Sequence, residues 1–315
     1  MMQIPLDQLT TPFNLDQTLG CGQSFRWEKL SGWWYGVVEG EVVKMKQVGD
    51  KLLFQTFPER KEAKFVENHF RLDDNLPHIL SKINRDEHIR MAIQRFRGLR
   101  ITRQEPWECL ISYICATNKN IPAIKNMILN LSKRFGKKIK FEGRDFYAFP
   151  KPSDLADADL EQVKACKLGF RAERVLETSK IVHNKELDLE TLRKMDYRKA
   201  KRELLALPGV GQKVADCVLL FSLDKLEVFP VDVWVKRAIL DFYSNRFKKS
   251  FVKKISRKAS LTSGEYEEIS SFGRTYFGEY AGYAQEYLFA LRRKQVLAQT
   301  GFPPSHSLNF KSHFM

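Results

Sequence analysis

Two side chains in this sequence of 315 residues have the type and setting for covalent chemistry, Lys213 and Asp232. Lys213 is the second residue of an apolar stretch, Gln212 to Leu223, that reads as a buried helix following the turn Pro208-Gly209-Val210-Gly211. A lysine is a poor structural choice there, because a helix N-terminus carries partial positive charge and a buried ammonium is costly. The same two features favour a neutral amine, which is the nucleophilic form; the competing reading is a lysine that snorkels to the surface. Nineteen residues on, Asp232 directly precedes the apolar run "VWVKRAIL" and can cap a helix there. An amine nucleophile and a carboxylate able to stabilise a cationic sugar are the groups needed to break an N-glycosidic bond by substitution at C1′.

The elements that must position this pair can be read from turn chemistry and periodicity. A helix ending "RELLAL" enters the glycine turn and a second helix leaves it, so backbone N–H groups at a helix N-terminus are offered to an anion. Gly209, Val210 and Gly211 are therefore candidate contacts to a phosphate backbone, which a side chain at either glycine would hold away. From Trp33 to Phe57 the sequence alternates, with Val43 and Met45 set against Lys44 and Lys46, and predicts an antiparallel meander. Beyond Lys61 the period becomes helical: Ile89, Ala92, Ile93 and Phe96 share one face, as do Ile124, Met127, Ile128, Leu131 and Phe135. Glu105-Pro106 marks a helix start, and nearly everything from Gly136 to Leu297 reads as helix. The expected fold class is α+β, with a small N-terminal antiparallel sheet domain (1–98), a helical region (99–298) and an aperiodic, mobile tail (299–315).

Composition limits the partners. Fifty-three basic residues against 38 acidic ones leave a net charge of +15, which points to a polyanion, nucleic acid first. The run "RFKKSFVKKISRK", Arg246 to Lys258, holds seven basic residues and no acidic one, and reads either as a solvated loop or as a phosphate-binding strip. The N-terminus has no secretory or transit pattern, and no apolar run approaches the ~20 residues of a membrane span. Five cysteines form neither a disulfide framework nor a paired C-x-x-C metal signature. The expectation is an intracellular, reduced, monomeric protein without metal or cofactor, in the cytoplasm and nucleoid of a prokaryote or the nucleus of a eukaryote.

Six motifs in order, "GQSFRW" (22–27), "CATNKNI" (115–121), "LGFRAERV" (168–175), "LPGVGQKVADC" (207–217), "PVDV" (230–233) and "GYAQEYLF" (282–289), resemble those of the 8-oxoguanine DNA glycosylases of the helix-hairpin-helix superfamily, in the subgroup first described in eukaryotes. The resemblance spans most of residues 13–297. It implies that Lys213 attacks C1′ of the damaged nucleotide, forms a Schiff base and cleaves the strand by β-elimination, while Asp232 stabilises charge on the sugar. It further implies that the Gly22 carbonyl accepts the N7–H that 8-oxoguanine carries and guanine lacks, a difference of ~1 to 3 kcal/mol. By the same resemblance Gln285 reads the Watson–Crick edge, Cys217 and Phe289 sandwich the extruded base, Asn118 or Asn120 fills the vacated stack, Phe170 is a wedge and Arg171 contacts the orphaned base. The implied partner is double-stranded DNA containing 8-oxoguanine. Two positions depart from the eukaryotic pattern: Trp234 stands where a histidine is usual, and Ala123 where an arginine helps read an opposing cytosine.

Three other readings compete. Iron–sulfur relatives need four cysteines after the hairpin, and none follows Cys217. A non-catalytic DNA-binding hairpin would need neither Lys213 nor Asp232, and a monofunctional glycosylase using water would not need Lys213.

Overall fold

The computed structural model describes residues 1–6, 12–58 and 62–300. The tail expected over 299–315 lies, from residue 301 onward, outside the described residues. Five strands, β1 (Met2–Pro5), β2 (Trp27–Leu30), β3 (Trp33–Val38), β4 (Glu41–Val48) and β5 (Lys51–Phe57), form one antiparallel sheet in the order β1-β5-β4-β3-β2. The expected meander is its centre. Trp34 pairs with Met45 and Met45 with Phe54, which places these side chains on one face over a core shared with Val43, Leu52, Phe70 and Leu72. Alternation alone would leave the opposite face to solvent. Part of it is instead covered by a second hairpin, β6 (Lys138–Phe141) and β7 (Arg144–Tyr147), whose Ile139 and Phe141 pack on Tyr35, Val37 and Val42.

The stretch after Gly136 is therefore not uniformly helical. Strands of four residues, one of them "KIKF", carry too short a pattern to register against a helical background, and their burial depends on the sheet beneath them. The basic run is also not a loop. A single 3₁₀ turn, Ser244–Arg246, leads to a helix, Lys249–Ser256, and Lys254 and Lys258 are turned onto Glu265 at 2.9 and 2.6 Å.

The larger core is helical. The predicted faces fall on Glu87–Arg95 and Ile121–Phe135, with Asp86 and Asn120 as N-caps. The helix Pro106–Cys115, capped by Glu105, lies at the centre, against Gln212–Ser222, the second helix of the hairpin, and Arg171–His183. The long helix Ala281–Thr300 packs on Glu87–Arg95 and Val233–Phe242. Ile89, Leu110, Leu219 and Leu288, from four of these helices, are almost wholly removed from water, so the hairpin rests on a closely packed support.

Candidate active site

The hairpin consists of Tyr197–Leu205, the turn, and Gln212–Ser222. Gly209 adopts φ +80°, and the turn is closed by the Val210 N–H donating to the Leu207 carbonyl at 3.2 Å. Thr178 Oγ1 donates to the Pro208 carbonyl at 3.1 Å and fastens the turn to the neighbouring helix. Val210's own N–H is thus engaged within the turn and cannot also be offered to a phosphate. The N-cap, Gly211, is exposed, and a methyl group there would meet nothing within 4 Å. It supplies no capping side chain, so the N–H groups of the first turn remain available to an anion.

Lys213 occupies the second position of this helix and is half-buried rather than enclosed. Its Nζ lies 4.7 Å from the ring centroid of Tyr113, which stacks on Phe221 and donates its hydroxyl to the Gln23 carbonyl at 3.0 Å. An aromatic face of this kind orients a cation without taking up its nitrogen in a salt bridge. One turn on, Cys217 is buried; burial pushes its thiol up to about 12, against the opposing pull of Lys213.

Asp232 is the N-cap of Val233–Phe242. Its Oδ1 accepts from the N–H groups of Trp234 at 2.9 Å and Val235 at 2.8 Å. Oδ2 takes no hydrogen bond among the described residues, so capping and a second task are compatible. Burial holds the Asp232 carboxyl above its ordinary range, opposed by the two capping bonds, Lys213 and Arg293. Lys213 and Asp232 therefore lie in one electrostatic neighbourhood, at the starts of two successive helices.

The two helices are cross-braced from beneath. Asp216, one turn after Lys213 and fully buried, accepts from Tyr197 Oη at 3.1 Å, Lys201 Nζ at 3.0 Å and Tyr266 Oη at 2.7 Å. Tyr266 Oη in turn accepts from the Val231 N–H at 3.2 Å, directly before Asp232. The hydroxyl thus joins the segment bearing the carboxylate to the helix bearing the amine. Sequence reasoning passed over Asp216, although the same signal, a charged residue in an apolar helix, had singled out Lys213.

The helix Ala281–Thr300 lines another side. Gln285 is buried, and its Oε1 has no hydrogen-bond partner among the described residues. Phe289 lies one turn further and is also buried. Glu286, likewise overlooked in an apolar run, is 2% exposed, its Oε1 has no hydrogen-bond partner among the described residues, and burial pushes its carboxyl up to about 7. Gly22 adopts φ +107°, where any side chain is strained, and a Cβ there would come within 2.8 Å of Ile121 Cδ1. The "GQSFRW" loop thus runs close beside Ile121 of the "NKNI" segment, with no room between them for a side chain at position 22.

The remaining predicted residues are less uniform. Asn120 is occupied as a cap, accepting from the Ala123 N–H at 3.0 Å, whereas Asn118 sits in the left-handed region at φ +53°. Phe170 is 56% exposed, with Arg171 and Arg174 over its ring at 4.2 and 5.0 Å, so a free aromatic edge is presented. Arg171 itself is turned inward; it donates to the carbonyls of Leu168 and Thr117 and is 2% exposed. Trp234 carries Arg237 over its ring at 5.0 Å. Among the described residues, no group of three or more His, Cys, Asp or Glu side chains is gathered as a metal centre requires.

Residues 5–110 match the model of the 8-oxoguanine DNA glycosylase N-terminal domain, and residues 111–261 that of the HhH-GPD superfamily base excision DNA repair proteins. An N-glycosylase/DNA lyase of Saccharomyces cerevisiae is 30% identical, over 88% of this chain and 82% of the yeast protein. A probable N-glycosylase/DNA lyase of Methanothermobacter thermautotrophicus is 28% identical, over 94% and 97%. The crystal structure of Clostridium acetobutylicum 8-oxoguanine glycosylase/lyase, in complex with double-stranded DNA containing cytosine opposite 8-oxoguanine, superimposes with a TM-score of 0.80 at 33% identity, covering 90% of this chain and 93% of that one. With relatives of that identity aligned along most of their length, the chain belongs to the 8-oxoguanine DNA glycosylases of the HhH-GPD superfamily.

Proposed function

We propose that this protein is a bifunctional base-excision repair enzyme that removes 8-oxoguanine from double-stranded DNA and then cleaves the strand. The observation that carries the reading is the joint setting of Lys213 and Asp232, held at adjoining helix starts: among the described residues the partly accessible amine makes no salt bridge and one oxygen of the carboxylate takes no hydrogen bond. In this reading the Lys213 amine forms a bond to C1′ as the N-glycosidic bond breaks, and the bonding pair leaves with the base, which takes up a proton. The sugar ring then opens, O4′ takes a proton, and a protonated C1′=N Schiff base results. Loss of a C2′ proton expels the 3′ phosphate, and water hydrolyses the imine to free the lysine. Asp232 Oδ2 faces the positive charge that develops on the sugar, where a fixed carboxylate acts without reorganising.

Four consecutive carbonyls support the assignment of Gly22 as the lesion reader. Those of Gly20 and Cys21 accept from Arg293, and that of Gln23 accepts from Gln104 Nε2 and Tyr113 Oη. The Gly22 carbonyl alone is unengaged among the described residues, and an N7–H would satisfy it. Gln285 is assigned the Watson–Crick edge, Cys217 and Phe289 the two faces of the base, and Asn118 and Phe170 the gap left in the duplex. The N–H groups beyond Gly211 are assigned a backbone phosphate. Residues 1–98 supply the Gly22 loop and residues 99–298 the chemistry. Among the described residues no helix is long and apolar enough to cross a membrane. Because its substrate is DNA, the enzyme is assigned to the cell interior, in the cytoplasm and nucleoid of a prokaryote or the nucleus of a eukaryote. The test is incubation with a duplex carrying one 8-oxoguanine. Free 8-oxoguanine together with a β-elimination strand product is expected; release of the base without any strand cleavage would refute the lysine mechanism.

A further inference from the structure

The loop that carries Gly22 is held very unequally on its two sides. On the C-terminal side Gln23 is fully tied: its Nε2 donates to the carbonyls of Thr18 at 3.0 Å and Arg100 at 2.8 Å, and its Oε1 accepts from the Thr102 N–H at 2.8 Å. On the N-terminal side the short helix Leu15–Gly20 ends, and its last carbonyls have no following turn to take them up. There Arg293 Nη1 reaches the Cys21 carbonyl at 2.8 Å and the Gly20 carbonyl at 3.4 Å, across more than two hundred residues of sequence. It also lies within 3.4 Å of where a Gly22 Cβ would stand. Arg293 follows Gln285 by eight residues and Phe289 by four, so all three project from one face of the same helix.

We propose that Arg293 is the positioning residue for lesion discrimination. By engaging the carbonyls of Gly20 and Cys21, its guanidinium leaves only the Gly22 carbonyl to meet the base, and fixes that carbonyl relative to the helix that bears Gln285 and Phe289. The inference rests on the functional reading above and adds to it a residue that touches neither base nor sugar. Glycine at position 22 makes the loop adjustable, since φ can change sign there at little cost, and without a restraint the peptide can rotate its oxygen away from the base. Arg suits the role better than Lys because a planar guanidinium keeps its donors in a fixed fork, whereas an ammonium is a rotating point charge. Burial works against the charge on the Arg293 guanidinium and holds it below its ordinary range, an effect that Cys21, Glu286 and Asp232 nearby oppose.

The test compares Arg293→Met, which keeps much of the apolar stem, with Arg293→Lys. In a Lys213→Gln background, affinity is measured for duplexes holding 8-oxoguanine or guanine at the same position. In the Lys213 enzyme, cleavage of a preformed abasic site, which requires no base recognition, is measured beside 8-oxoguanine excision. Arg293→Met is expected to lower the preference for 8-oxoguanine over guanine about tenfold and excision by a similar factor, with abasic-site cleavage reduced by no more than about twofold. Arg293→Lys should recover part of the preference. An unchanged preference in Arg293→Met, or equal losses of excision and abasic-site cleavage, would overturn the proposal. An unmutated enzyme that cuts abasic sites but ignores 8-oxoguanine would instead overturn the functional reading, and the proposal with it.

Discussion

Glu286→Gln is expected to stabilise the protein, and to do so only towards alkaline pH. The Glu286 carboxyl is buried, and one oxygen makes no hydrogen bond among the described residues. Burial pushes it from an ordinary 4.5 up to about 7; the Asp232 carboxylate adds to the shift, while the Cys21 thiol and Arg293 oppose it. Below 4.5 the carboxyl is protonated whether the chain is folded or not, and costs nothing. As pH rises through 4.5 to about 7 the unfolded chain gives up a proton that the folded chain retains, and stability falls by up to about 1.36 kcal/mol per pH unit. Above 7 the loss is complete, at about 3 kcal/mol. Glutamine has nearly the same shape and no charge, so the variant escapes this loss. Urea unfolding at pH 8.5 should show it about 3 kcal/mol more stable than the unmutated protein, and at pH 5 less than about 1 kcal/mol more stable, with unchanged m-values. Equal stability of the two proteins at pH 8.5, or a less stable variant, would show that Glu286 ionises favourably against Arg293 and would refute the reasoning.

Other substitutions test the remaining parts of the site. Asp232→Asn keeps an oxygen for the cap but removes the charge, and single-turnover excision should slow by at least two orders of magnitude; a rate within about threefold of the original would leave Asp232 as a cap only. Tyr266→Phe leaves the Val231 N–H unpaired and removes a donor from Asp216, which should cost ~1 to 3 kcal/mol in stability and lower kcat more than it raises KM; normal kcat in a destabilised variant would mean the cross-brace serves folding alone. With Ala123 in place of a cytosine-reading arginine and Arg171 tied to the carbonyls of Leu168 and Thr117, excision should depend only modestly on the base opposite the lesion. Ala123→Arg should raise the cytosine preference about tenfold. Rates on four duplexes differing in that base decide the matter, and a preference above a hundredfold before mutation would contradict it.

Local chemistry accounts for what could be read from the sequence. Lys213 and Asp232 are each announced by a helix start, one after a glycine turn and one as a capping carboxylate, and the meander is announced by short β-type runs with Val43 and Met45 alternating against Lys44 and Lys46. Hidden from sequence were the features that depend on distant partners. Strand β1 forms only because residues 51–54 lie beside it, and the β6–β7 hairpin is held by the sheet it covers. Arg293 shows its purpose only when Gly20 and Cys21 arrive against it. The motif position of Arg171 implies a contact to the orphaned base, whereas its inward turn follows from the Leu168 carbonyl three residues before it and the Thr117 carbonyl of a separate segment. Charged residues inside the apolar helices, Asp216 and Glu286, were the available signal that went unread.

The central claim is that Lys213 becomes covalently joined to the sugar, and reductive trapping tests it most directly. Sodium borohydride added during the reaction with an 8-oxoguanine duplex should reduce the Schiff base to a stable amine, and mass spectrometry of the digested adduct should place the sugar on the peptide containing Lys213. Lys213→Gln should bind the same duplex and give no adduct. An adduct mapped to another residue, or one that persists in Lys213→Gln, would contradict the account.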